Sequence, residues 1–271
     1  MPELPEVETI RRGIAPFVVG HTVRKVILRT PMLRWPIPTD LPGKLEGETI
    51  EEVDRRGKYL LFRTAAGTLL IHLGMSGYLR VLESGRQPGK HDHADIEFFD
   101  GLCLRLNDTR RFGALLWIEG DPLQHPLLAG LGPEPLSDAF TGDYLHARSR
   151  YRITAVKALL MDSRIVVGVG NIYASESLYR ARIDPRKAAG NISLARYRRL
   201  AESVRQVLQK AIAAGGTTLR DFSDQNGRPG YFALQLMVYG REGEPCPACG
   251  RAVQRITLGQ RSTFFCPHCQ K

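Results

Sequence analysis

Apolar side chains recur at Val7, Ile10, Ile14 and Phe17, the three- and four-residue spacing of one helical face. Pro5 suits the first turn of such a helix, and Glu3, Glu6 and Glu8 complement its positive end. The period then changes. Residues 22–28, 49–54, 59–64, 68–73, 78–82, 94–99, 102–106 and 114–118 are short strand-like stretches separated by turn residues such as Ala66-Gly67 and Asp100-Gly101. Their regular spacing predicts an antiparallel sandwich or barrel. Residues 130–135, rich in Gly and Pro, read as a linker, and 138–214 as helical, with long runs such as 194–214. Residue 172 opens a helix reaching 180, with Asn171 as its expected N-cap. Residues 215–230 form a long polar loop of the kind that serves as a lid. The chain closes on two short strands, 253–258 and 261–265, turning at Gly259-Gln260.

The length of 271 residues allows two domains with a real core, and a hydrophobic share of 43% argues against disorder. No apolar run approaches the roughly 20 residues of a membrane span, and no signal-peptide pattern opens the chain. A soluble, cytoplasmic protein is expected. The formal charge of +10, carried mostly by arginine, favours a polyanionic partner and nucleic acid first.

Cys246-Pro-Ala-Cys249 and Cys266-Pro-His-Cys269 are two C-x-x-C knuckles separated by sixteen residues, the spacing of a four-thiolate zinc site. Four cysteines close a tetrahedron, which makes the metal structural and leaves His268 a bystander. The H-x-E element of zinc deaminases is absent, in keeping with a closed site. Cys103 lies in an apolar-alternating stretch and reads as a buried small residue.

Other candidates carry two readings each. If Met1 is trimmed, Pro2 becomes a free secondary amine able to form an iminium, with Glu3 beside it as a general acid; otherwise the segment is a helix start. Gly168-Val-Gly170-Asn171 opens a helix whose amides suit a phosphate, or is an ordinary capped turn. Lys58 sits on a tight turn, where a lone lysine is usually solvated. Asn107 to Gly113 combines Arg110, Arg111 and Phe112, either a wedge for a duplex or a plain turn with Phe112 inward. Met75 reads more readily as core than as wedge, and His91-Asp92-His93 as polar surface.

Taken together, Pro2-Glu-Leu-Pro-Glu-Val-Glu-Thr9, Lys58, Asn107 to Gly113, Gly168-Val-Gly-Asn-Ile-Tyr-Ala-Ser-Glu176 and the four-cysteine finger with Arg261 resemble the formamidopyrimidine-DNA glycosylases, over essentially the whole chain. The resemblance implies an α+β multidomain fold. Residues 1–130 would form a catalytic antiparallel β-sandwich with flanking helices, 131–235 a helix-two-turn-helix module with a lesion-capping loop at 215–231, and 236–271 the zinc-finger hairpin. DNA would lie in the cleft between them. It also implies a bacterial, nucleoid-associated, monomeric repair enzyme with one structural Zn2+, acting on double-stranded DNA with oxidised purines or abasic sites.

Carried over by that resemblance, Pro2 attacks the sugar carbon and Glu3 assists base loss and ring opening. Lys58 serves the first elimination and Arg261 the second, with a grip on phosphate. Met75, Arg110 and Phe112 fill the gap left by the extruded nucleotide. His91, Arg110 and Arg152 contact DNA, Asn171 anchors a phosphate, and Lys157 is expected to approach the backbone. Two alternatives stand beside this reading. One is the sister endonuclease for oxidised pyrimidines, against which the Arg110-Arg111-Phe112 loop and the long lid argue. The other is a non-catalytic zinc-finger DNA-binding protein, which leaves Pro2-Glu3 unexplained.

Overall fold

The computed structural model describes residues 2–215 and 236–271. The expected loop over 215–231 lies outside the described residues, apart from Gly215. Helix α1 (Leu4–Val18) starts where the prolines and acids of the segment put it. Glu3 is the N-cap in extended conformation, and Glu6 completes a capping box by accepting the Glu3 N–H at 2.9 Å. Val7, Ile10 and Ile14 are buried, but the stripe ends on Val18, fully buried, while Phe17 is 41% exposed. The two residues flank the apolar face, and the core takes the smaller one.

The rest of this unit is β-rich: β1 (Val23–Leu28), a short α2 (Leu41–Leu45), β2 (Glu52–Arg56), β3 (Tyr59–Arg63), β4 (Thr68–His72), β5 (Gly77–Glu83), β6 (Asp92–Phe98), β7 (Leu102–Asp108) and β8 (Ala114–Ile118), followed by α3 (Pro126–Ala129). They form two antiparallel four-stranded sheets, ordered β1-β6-β7-β5 and β2-β3-β4-β8. One core joins them. Val26, Ile96, Leu104 and Leu79 enter it from the first sheet, Leu60, Phe62, Leu69, Ile71 and Leu115 from the second, and the apolar stripe of α1 joins them. The alternation of Leu60 with Phe62 and of Leu69 with Ile71 is the period of two that puts one face of a strand inside. The strand expected at 49–54 begins later, at Glu52; Thr49 makes only an isolated bridge to Thr22.

Strand β6 departs most from expectation, because it is buried along its whole length. Its polar residues are therefore satisfied inside the protein. Asp95 pairs with Arg105 at 2.7 Å and with Arg29, and His93, 3% exposed rather than polar surface, places Nε2 2.8 Å from the Asp108 carbonyl. Cys103 is buried as expected, and burial pushes its thiol up to about 12.

A second buried charge lies on α1. The Glu8 carboxylate accepts from Arg11 (2.9 and 3.0 Å), Arg12 (2.7 Å) and Arg55 (3.1 Å). Burial pushes the Glu8 carboxyl up, but the Arg11 and Arg12 hydrogen bonds and the charges of Arg11 and Arg55 outweigh it, leaving about 2. A carboxyl depressed on folding stabilises the protein above its unfolded value and loses that contribution as pH falls through its folded value. Glu8→Gln should therefore cost stability at pH 7, with a difference from the parent that shrinks as pH falls from about 4.5 to about 2. Urea unfolding of both proteins at several pH values checks this; a pH-independent difference would contradict it.

The second compact unit comprises residues 130–214 and 236–271 among those described. Its helices are α4 (Gly142–Ser149), α5 (Val156–Met161), α6 (Asn171–Arg180) and α7 (Leu194–Ala213), with α7 packed on α4 and α6. The stretch expected to be broadly helical is broken between α5 and α6 by turns and irregular backbone over residues 162–170. The zinc-finger hairpin pairs β9 (Gln254–Leu258) with β10 (Arg261–Phe265), Leu258 opposite Arg261. Gly259 and Gln260, at φ 52° and 61°, make the turn, the conformation a tight hairpin of right-twisted strands requires. Among the described residues, no helix is long and apolar enough to cross a membrane.

Candidate functional site

Pro2 and Glu3 are both buried at the N-terminal end of α1, Glu3 to 2% exposure. The two readings of this segment are therefore one structure, since the helix start is what fixes the pair. Lys58 is half-buried on the turn joining β2 and β3. Gly57 precedes it at φ 59°, a left-handed position that favours glycine. Arg55 ties this turn to α1, its Nη1 donating to the Gly57 carbonyl at 2.9 Å and its Nε to Glu8 at 3.1 Å. Glu8 lies five residues beyond Glu3, about 7.5 Å along the helix axis. One guanidinium thus links the helix that carries Pro2-Glu3 to the turn that carries Lys58.

His72 closes β4 opposite Tyr59, ring centroids 4.7 Å apart. Its Nδ1 accepts the Gly74 N–H at 3.1 Å, which leaves the hydrogen of the neutral ring on Nε2. Burial, then the charges of Lys58 and Arg34, push its pKa down to about 4, so the ring stays neutral beside the lysine. Sequence reading gave Glu8 only a helix-end role and missed Arg55 and His72. The Glu8–Arg11–Arg12 spacing was readable on a helix, but the partner across to β2 was not.

Met75 is half-buried, and Arg110 and Phe112 are exposed, Phe112 to 43%. Phe112 is not packed inward; the Arg110 guanidinium lies over its ring, 4.8 Å from the centroid. Arg111 adopts φ 55°, so the loop turns sharply between them. His91 is half-buried, and its carbonyl accepts the Asp108 N–H at 3.0 Å.

In the second unit the structure corrects one expectation. Asn171 does not cap α6; Gly170 does, and Asn171 is the first helical residue. Lys157, expected to approach the DNA backbone, is only 1% exposed. Its ammonium donates to Asn171 Oδ1 (2.6 Å), Thr263 Oγ1 (2.7 Å) and the Ser262 carbonyl (3.1 Å). A buried ammonium needs such oxygens, and the Asn171 side chain supplies one. Asn171 Nδ2 also donates to the Ser262 carbonyl at 2.9 Å. The pair pins the start of α6 to β10, whose first residue, Arg261, is exposed. Arg152 is half-buried between the exposed Tyr151 and Ile153. Glu176 on α6 accepts the N–H groups of Met237, Val238 and Tyr239, each at 2.9 Å. Burial pushes its carboxyl up, and those backbone bonds oppose the shift.

The Sγ atoms of Cys246, Cys249, Cys266 and Cys269 all lie within 4.8 Å of one another. Cys246 and Cys269 are 3.9 Å apart and Cys249 and Cys266 3.5 Å. A zinc tetrahedron with Zn–S bonds of about 2.3 Å has edges of about 3.8 Å, whereas a disulfide is about 2.0 Å. The donor set fits one structural zinc. The finger's own apolar core is small, built on Val238, Val253, Cys246 and Cys266.

The family comparisons agree with this geometry. Residues 1–115 match the formamidopyrimidine-DNA glycosylase N-terminal domain, 131–223 the formamidopyrimidine-DNA glycosylase H2TH domain, and 243–271 the zinc finger found in FPG and IleRS. The chain is 62% identical to the formamidopyrimidine-DNA glycosylase of Syntrophotalea carbinolica over 271 residues, all of both proteins. It is 58% identical to that of Pseudomonas aeruginosa, again over the whole of both. Among solved structures, the MutM (FPG) protein of Thermus thermophilus superposes with a TM-score of 0.89 at 43% identity, covering 99% of this chain and 98% of that one. Wild-type Lactococcus lactis Fpg in complex with DNA containing an N7-benzyl-Fapy-dG superposes at 0.93 with 35% identity over 100% of both chains. With three family domains matched in order and a relative 62% identical over its whole length, this chain belongs to the formamidopyrimidine-DNA glycosylase family.

Proposed function

We propose that this protein is a base-excision-repair DNA glycosylase and abasic-site lyase that removes oxidised purines, 8-oxoguanine and formamidopyrimidines, from double-stranded DNA. The observation that carries the reading is the Pro2-Glu3 pair held at the start of α1 by the Glu3–Glu6 capping box. Relatives captured with Fapy-dG-containing or abasic-site-containing DNA support the substrate class.

A base inside a duplex is out of reach of a side chain, so the damaged nucleotide is extruded, at a cost of a few kcal/mol. Once Met1 is removed, the Pro2 nitrogen attacks the sugar carbon, its bond to that carbon forms and the bond to the base breaks. The positive end of α1 disfavours a protonated amine and so favours the nucleophilic form. Glu3 protonates the departing base, takes up the proton that the Pro2 nitrogen sheds, and delivers it to the ring oxygen as the C1′–O4′ bond breaks and the iminium forms; the iminium makes the neighbouring C2′ proton acidic. Lys58 serves its removal, and the 3′ phosphate leaves; Arg261 serves the second elimination and grips phosphate. Met75, Arg110 and Phe112 fill the vacated stack. His91, Arg110 and Arg152 hold the backbone, and the start of α6 at Asn171 anchors a phosphate. Lys157 acts from behind by holding Asn171. The four cysteines hold zinc, which supplies a fixed fold for the hairpin bearing Arg261.

In this reading residues 1–130 are the catalytic domain, 131–235 the helical DNA-binding domain with a cap at 215–231, and 236–271 the finger. The protein works as a monomer in the bacterial cytoplasm, at the nucleoid. A panel of duplexes tests the assignment. Incision at 8-oxoguanine opposite cytosine should exceed incision at an oxidised pyrimidine by about tenfold or more. Preference for the pyrimidine would reassign the chain to the sister activity, and binding without incision to a non-catalytic role.

A further inference from the structure

Two loops carry the wedge in the reading above, the turn with Met75 and the loop with Arg110 and Phe112. They belong to different parts of the sequence, and a buried carboxylate joins them. Asp108, fully buried at the end of β7, accepts the Ser76 hydroxyl at 2.8 Å through Oδ1 and the Gly113 N–H at 2.8 Å through Oδ2. The Arg110 N–H points at the same junction, 3.1 Å from Ser76 Oγ and 3.3 Å from Asp108 Oδ1. His93, itself buried, bonds the Asp108 carbonyl from beneath at 2.8 Å. One carboxylate therefore holds the residue after Met75 and the residue after Phe112, and it helps hold the backbone of Arg110.

Steric contact completes the joint. A Cβ on Gly74, at φ 61°, would lie 2.4 Å from the Phe112 carbonyl carbon and 2.5 Å from the Gly113 nitrogen. A Cβ on Gly113 would lie 2.6 Å from the His72 carbonyl oxygen and 3.0 Å from Asp108 Oδ2. The two backbones touch where no side chain fits, so neither loop shifts without the other.

We propose that Asp108 is a positioning residue that locks the Met75 turn and the Arg110–Phe112 loop into one rigid wedge. Both side chains then enter the duplex gap as a unit. Ser76 is its partner in the lock. The proposal rests on the wedge role assigned to Met75 and Phe112. An unlocked wedge should still bind DNA but fill the gap slowly, so the loss should appear in the extrusion-limited step.

The test is a double-mutant cycle in single-turnover excision of 8-oxoguanine from a duplex. Asp108→Asn keeps size while weakening the acceptor; Ser76→Ala removes a single hydroxyl and serves if the first variant folds poorly. Leaving a buried donor without its acceptor should slow excision about tenfold. In a Phe112→Ala, Met75→Ala background, the same substitution should cost less than about twofold, because no wedge remains to be positioned. Borohydride trapping on an abasic site in a single strand, where there is no stack to fill, should also change less than about twofold. Equal losses in both backgrounds, or an equal loss on the single strand, would show general destabilisation and overturn the proposal. If the Phe112→Ala, Met75→Ala protein excises as fast as the parent, the wedge reading fails, and the lock fails with it.

Discussion

Glu3→Gln should leave a duplex with 8-oxoguanine almost uncut yet still cleave a duplex that already carries an abasic site. The substitution keeps an oxygen that can accept the backbone N–H of the capping box, so α1 retains its start. What it removes is the transferable proton. A positioned general acid contributes roughly 10²–10⁴-fold, and the intact damaged base needs it most, because the leaving group must be protonated. An abasic sugar has already lost its base and opens spontaneously to the aldehyde, so the Pro2 amine retains a route to the iminium. Single-turnover rates on the two substrates measure the split. Equal losses on both would mean that Glu3 serves only the helix start. Glu6→Gln is the control, since Glu6 shares the capping box but has no assigned proton transfer.

Loss of zinc should have the second large effect. The four thiolates lie at zinc-compatible separations around a finger whose own apolar core is very small. Such modules depend on metal for their fold, since binding free energy is folding free energy. Cys266→Ser, or chelation of the parent protein, should therefore unfold the β9–β10 hairpin. Arg261 then loses its fixed position, and the Lys157–Asn171 joint loses the Ser262 and Thr263 oxygens on β10. Affinity for duplex DNA should fall at least about tenfold, with a shallower salt dependence as phosphate contacts disappear. The N-terminal sandwich has its own core and should unfold at an unchanged temperature. Elemental analysis, fluorescence anisotropy across a salt series and calorimetry follow the three quantities. Unchanged affinity after complete zinc release would contradict this account of the finger.

Much of this molecule is legible locally. The strands are bounded by turn residues, and their alternation survives because one face enters a shared core, as Leu60 and Phe62 show. The zinc ligands are legible because four thiols at paired spacing have few other uses. Residues whose partners are distant in sequence are not legible. Nothing near Lys157 says that its ammonium will be buried against Thr263, more than a hundred positions later. Asn171 looks like a cap because caps are local, yet its side chain answers that lysine instead. His93 reads as a solvated residue until β6 proves buried on both faces. Asp108 acquires its role only when the Met75 turn meets the loop after β7, and Arg55 only when the β2–β3 turn meets α1. The Pro2-Glu3 chemistry itself is invisible to periodicity, which reports only that a helix begins there.

The central claim is that the N-terminal proline is the nucleophile, and covalent trapping tests it most directly. Protein lacking Met1, confirmed by intact mass, is incubated with an 8-oxoguanine–cytosine duplex and borohydride. Hydride reduces the iminium to a stable amine, fixing the DNA to whichever residue attacked. The account predicts a one-to-one adduct whose DNA remnant maps to the peptide beginning at Pro2. Trapping should drop sharply in Pro2→Gly, which offers a primary and differently placed amine, and should persist in Lys58→Ala. A remnant on Lys58, or undiminished trapping by protein that retains Met1, would contradict it.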